Sequence, residues 1–140
     1  MTFVPLLAAP AVVIAHAFAA IAALVLGVVQ LAAPKGTVPH RVAGWLWVGL
    51  MATVAATSFF IHTICTFGPF SVIHGLSVFT LVALPGAVTH ARRHEVAGHR
   101  RAMRSLFFWA LIVAGLFTLW PGRLMHAVVF GTTGQYHACR

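Results

Sequence analysis

Residues 73–103 read IHGLSVFTLVALPGAVTHARRHEVAGHRRAM. His74-Gly75-Leu76 leads into an apolar helix, Pro85-Gly86 interrupts it, a basic loop follows, and His99-Arg100 marks a restart. The same plan stands earlier in the chain. His16 lies on an apolar run that passes Gly27 and meets a breaker at Pro34-Lys35-Gly36, and His40-Arg41 follows. His74 repeats His16, and His99 repeats His40, at nearly the same offset. Similarity at a fixed offset is the mark of an internal duplication. Each half therefore holds one His on its first helix and one at the start of its second.

Working outward, composition sets the solvent. The 140 residues are 61% hydrophobic and 7% charged, with mean hydropathy +0.97. A water-soluble domain of this size needs far more surface charge, so lipid is the expected surroundings. The length suits one all-α domain, 1–140, of four membrane helices at about 20 apolar residues each. The pattern predicts helices over 6–33, frayed around Pro10, then 39–62, 70–89 with a kink at Pro85, and 102–120. They form an up-and-down four-helix bundle built as two helix pairs. Residues 124–130 are apolar but too short to span, and are expected at the membrane surface. No cationic segment precedes the first apolar run, so Met1–Ala33 is expected to stay as a membrane helix.

Net charge is +8 with a single acid, Glu95. The cations sit between apolar helices, with no basic-aromatic groove, so they mark topology and not nucleic acid. Lys35, Arg41, Arg92, Arg93, Arg100, Arg101 and Arg104 flank the first and third loops. Arg123 and Arg140 alone stand on the other side. Positive charge gathers inside, which predicts those two loops in the cytoplasm and both termini outside. Trp45, Trp47 and Trp120 fall near helix ends, as interfacial anchors do.

Depth then sorts the histidines. At 1.5 Å per residue, His16 lies about 25 Å above the inner end of its helix. His74 opens its helix on the same outer side, and His40 and His99 open theirs on the inner side. The expectation is an outer pair, His16 with His74, and an inner pair, His40 with His99. Two His from alternate helices across a bundle axis suit bis-His ligation of a b-type haem. Arg41 and Arg100 beside the inner pair suit its propionates, because an Arg fork matches a carboxylate. Small residues near each His also suit plain helix packing, but ionisable groups inside membrane spans are rare and usually functional.

Three functions stay open. The first is a small cytochrome relaying electrons between quinol or a periplasmic partner and another redox protein. The second is a non-enzymatic accessory subunit of a larger membrane complex. The third is outer-face binding of zinc or copper by His62, His74 and His126, with Cys65 as a fourth ligand. His90, His94 and His137 are expected to be solvated. Cys65 and Cys139 are read as unpaired thiols; a disulfide would need both on the oxidising side. With no Asp and one Glu, acid-base and Ser-His-Asp chemistry lack their groups. Any activity would be electron transfer through a cofactor.

Four segments carry a family resemblance over nearly the whole chain. They are His40-Arg41-Val42-Ala43-Gly44, His74-Gly75-Leu76-Ser77, His99-Arg100-Arg101-Ala102-Met103 and Pro121-Gly122-Arg123-Leu124-Met125-His126. Together they resemble a bacterial membrane-protein family, domain of unknown function 2306, which implies a multi-pass protein of the bacterial inner membrane. The layout of four histidines also resembles the four-helix core of cytochrome b561-type proteins, which hold two haems between alternating helices and pass electrons across a membrane. That resemblance implies His16 and His74 as ligands of one haem and His40 and His99 of the other.

Overall fold

The computed structural model describes residues 3–61 and 72–131. His62, Cys65, His137 and Cys139 lie outside them. The described residues are helical and irregular, with no strand among them. The helices are α1 (Val4–Leu7), α2 (Ala11–Ala32), α3 (Val38–Ser58), α4 (Val72–Arg92) and α5 (Val96–Leu106). After α5 the rod widens into a π-helical stretch, Phe107–Val113, and continues as α6 (Ala114–Thr118). A short α7 (Leu124–Phe130) follows.

Local chemistry explains the boundaries. Pro10 cannot donate a backbone hydrogen bond, so the first expected helix, 6–33, is divided into α1 and α2. Thr37 caps α3 by accepting from the His40 amide at 3.3 Å, and Pro39 occupies a first-turn position where no amide hydrogen is needed. The α3 helix ends at Ser58, earlier than the predicted 62. The expected loop over 90–101 is mostly helix. The α4 helix runs through Pro85 to Arg92, and α5 restarts at Val96 instead of 102. Long Arg stems can lie along an apolar rod while their heads reach polar surroundings, so a charge cluster need not end a helix. The α7 helix matches the predicted 124–130, and Gly131 closes it with φ +70°.

Three rods are long and apolar enough to cross a membrane: Ala11–Ala32, Ile73–Arg92 and Val96–Thr118. Most of each lies on the outside of the molecule, as lipid contact requires. Between them sits α3, of similar length, which carries His40 and Arg41 at its start and buries Trp47 and Met51. Packing runs α2 on α3, α3 on α4, α4 on α5, and the π stretch back onto α2. A shared core draws Ala23, Trp47, Met51, Leu84, Ala87, Leu106 and Leu111 from all four rods.

Cross-links show the directions. Trp47 and His40 of α3 bond to Ala23 and Gln30 of α2, and Thr57 of α3 bonds to His16. Partners rise on one helix as they fall on the other, so α2 and α3 are antiparallel. Arg92 lies 5.7 Å from the Trp45 ring, Ser58 bonds Ser77, and Phe59 meets His74, which makes α3 and α4 antiparallel too. The α2–α3 and α4–α5 turns thus share one end, the basic end. At the far end α1 packs on α7, and Leu6, Ala9, Val13, Ala17 and Val128 form a second apolar cluster.

One expected anchor is corrected here. Trp47 is not interfacial: it is 2% exposed, and its indole N–H donates to the Ala23 carbonyl at 2.9 Å. Its position on the core face of α3 outweighs its nearness to the helix end. Trp45 and Trp120 are exposed.

Candidate functional site

Polar side chains inside this apolar bundle occur in two layers. At the basic end, His40 stands in the first turn of α3 and His99 in the first turn of α5. The two are near enough for their charges to interact. His99 Nδ1 lies 3.0 Å from the Ala87 carbonyl of α4. A carbonyl can only accept, so Nδ1 carries the hydrogen. In neutral imidazole Nε2 then keeps the lone pair. The Nδ1 of His40 is buried and has no hydrogen-bond partner among the described residues. Such atoms are costly unless something satisfies them. The His40 carbonyl accepts from Gln30 Nε2 at 2.9 Å, which fixes the start of α3 against α2. Arg41 and Arg100 adjoin these histidines and are exposed.

At the far end, His16 of α2 and His74 of α4 both contact the C-terminal end of α3. His16 Nδ1 lies 3.0 Å from Thr57 Oγ1. Thr57 has one hydroxyl hydrogen, and its oxygen lies 2.7 Å from the Thr53 carbonyl and 3.1 Å from that of Val54. The hydroxyl therefore donates to its own helix and accepts from His16. His16 is fixed as the Nδ1–H tautomer, with Nε2 as its lone-pair nitrogen. His74 is 6% exposed, and its ring centroid lies 6.0 Å from that of Phe59. Beneath this layer Ser58 and Ser77 join α3 to α4 at 2.5 Å.

His16 also lines a cavity of about 130 Å³, together with Leu6, Val13, Ile61, Phe117, Thr118 and Arg123. Pockets for drug-sized ligands span about 300–1,000 Å³, so this one suits a smaller guest than a macrocycle.

Of the expected metal ligands, His62 lies outside the described residues. His126, on α7, stacks its ring 4.6 Å from Phe130. Among the described residues no group of three or more His, Cys or acidic side chains could hold a metal ion. Glu95 pairs with His90 at 2.5 Å in the exposed α4–α5 turn. Sequence reasoning missed Thr57 and Gln30. Gln30 carried a usable signal, as the one amide side chain in a helix whose only other polar side chain is His16. Thr57 carried none, because hydroxyls are common in membrane helices and bond their own backbone.

A model for a family described as predicted membrane protein (DUF2306) matches residues 13–138. No curated protein and no solved structure matches the chain.

Proposed function

The chain belongs to the DUF2306 family of membrane proteins, and from that footing we propose that it is a small b-type cytochrome with haem held between His40 of α3 and His99 of α5. In this reading the rods form an up-and-down four-helix bundle of two duplicated pairs. The basic end faces the bacterial cytoplasm, by the bias of Lys and Arg toward that side.

The observation that carries the proposal is the state of the two imidazoles. His99 is held by its Nδ1–H on the Ala87 carbonyl, which aims the ring and leaves Nε2 as donor. Axial histidines are commonly oriented this way, by a hydrogen bond from the other ring nitrogen. His40 brings a buried ring nitrogen that none of the described residues satisfies. Arg41 and Arg100 are exposed beside them and could pair with propionates. Haem, when bound, supplies a one-electron couple. The protein's own share is to orient the rings, to shield them with the shared core, and to dock a redox partner at the basic end.

A second reading is a non-enzymatic accessory subunit of a larger membrane complex. It draws on the fact that His16, Gln30, Trp47 and His99 all serve as links between helices. One experiment separates the two. The full chain, expressed with haem supplementation and purified in mild detergent, should give b-type bands in a reduced-minus-oxidised spectrum. His40→Ala and His99→Ala should lose them while keeping their helical circular dichroism. Folded wild-type protein without those bands would end the cytochrome reading and leave the accessory one.

A further inference from the structure

We propose that the far-end cavity binds the ring of a lipid-soluble hydroquinone, with His16 as hydrogen-bond acceptor and Arg123 as donor. The inference is independent of haem at the basic end.

Size comes first. An apolar cavity of about 150 Å³ accepts benzene, and this one measures about 130 Å³. One six-membered ring is therefore the scale of the guest. The wall chemistry comes second. Leu6, Val13, Ile61 and Phe117 offer apolar faces to a ring. Three polar side chains line it, His16, Thr118 and Arg123; the Thr118 hydroxyl donates to the Gly115 carbonyl, and the other two differ in sense. Thr57 takes the Nδ1 hydrogen of His16, so the remaining nitrogen, Nε2, can only accept in the neutral ring. A guanidinium can only donate. Arg123 lines the cavity, its guanidinium carbon 5.1 Å from the Phe117 ring centroid. A guest with a hydroxyl at one end and an oxygen acceptor at the other satisfies both, and a para-hydroxylated ring is the smallest common form of it. Location comes third. Two of the four helices that wall the cavity, α2 and α6, belong to rods apolar enough to cross a membrane, with α1 and α7 as the others, so a guest with an aliphatic tail would arrive through lipid.

The probe is decylhydroquinone, with decylbenzene as the control that keeps ring and tail but lacks oxygen. Binding to the full chain in detergent micelles or nanodiscs is followed by quenching of tryptophan fluorescence. Saturable binding about tenfold tighter than decylbenzene is expected. His16→Leu should remove that preference, and His16→Gln, which restores an acceptor, should recover part of it. Ile61→Trp should fill the cavity and abolish binding while helical circular dichroism stays intact. Equal affinity for the two probes, or unchanged preference in folded His16→Leu protein, would overturn the proposal and identify the cavity as a site for acyl chains. A haem spectrum taken on the same samples reports the other reading separately.

Discussion

The indole of Trp47 and the flank of the Phe107 ring occupy the space that a side chain on Gly27 would need. A Cβ at position 27 would stand 2.9 Å from Trp47 Nε1 and 2.6 Å from two Phe107 ring carbons. Three rods meet at this point: α2, α3 and the π stretch. Real Cβ atoms do not approach so closely, and both rings are large parts of a packed core. Gly27→Ala should therefore lower stability by about 1–3 kcal/mol, as overpacking does, and Gly27→Val by more. Gly49, where an added Cβ meets nothing within 4 Å, is the control. Gly49→Ala should be neutral or gain up to about 1 kcal/mol. Unfolding in mixed detergent titrated with dodecyl sulfate reads both, and equal behaviour of the two glycine variants would refute the close-contact account.

Trp47 can be divided into its ring and its hydrogen bond. The bond to the Ala23 carbonyl crosses from α3 to α2 in an apolar setting. Links of this kind in membrane proteins average about 0.6 kcal/mol and reach about 1.7. Trp47→Phe keeps most of the ring and should cost that amount. Trp47→Ala leaves a void and should cost about 3–5 kcal/mol. The same titration measures both, and a Phe variant as damaged as the Ala variant would show that the N–H matters more than the volume.

His94 turns the chain from α4 into α5 with φ +59°. That left-handed conformation is tolerated by His, Asn and Gly, and is poor for a β-branched residue. His94→Val should lower the melting temperature by an amount equivalent to about 1–2 kcal/mol. His94→Asn should leave it unchanged or slightly raised. A Val variant that melts with the wild type would mean that the turn relaxes without strain.

Much of this architecture is legible in the sequence because lipid simplifies the code. Uninterrupted apolar runs can become little except helices when no water is present to satisfy the backbone. The breaker Pro34-Lys35-Gly36 and the terminator Gly131 act where they stand. Legibility fails where side chains have two uses. Arg100 and Arg101 look like loop residues by charge, yet they ride the first turns of a helix. Trp47 sits where a surface anchor would, yet a half-turn of phase places it in the core. The π stretch leaves no trace, since its seven residues, FFWALIV, are as apolar as any regular span. At the candidate site the histidines stand out by rarity. Their partners Thr57 and the Ala87 carbonyl do not, because a tautomer is set by three-dimensional neighbours that sequence distance conceals.

The wide-turn segment Phe107–Val113 works as a fixed angular offset between the two ends of one rod. A tighter winding there would swing everything beyond it, Phe117 and Arg123 included, by roughly 100° about the axis, the step of one helical residue. His99 lies before the segment, so the phase of its own helix would not change. Removing a single residue from this segment is thus the least invasive way to dismantle one end of the molecule while sparing the other.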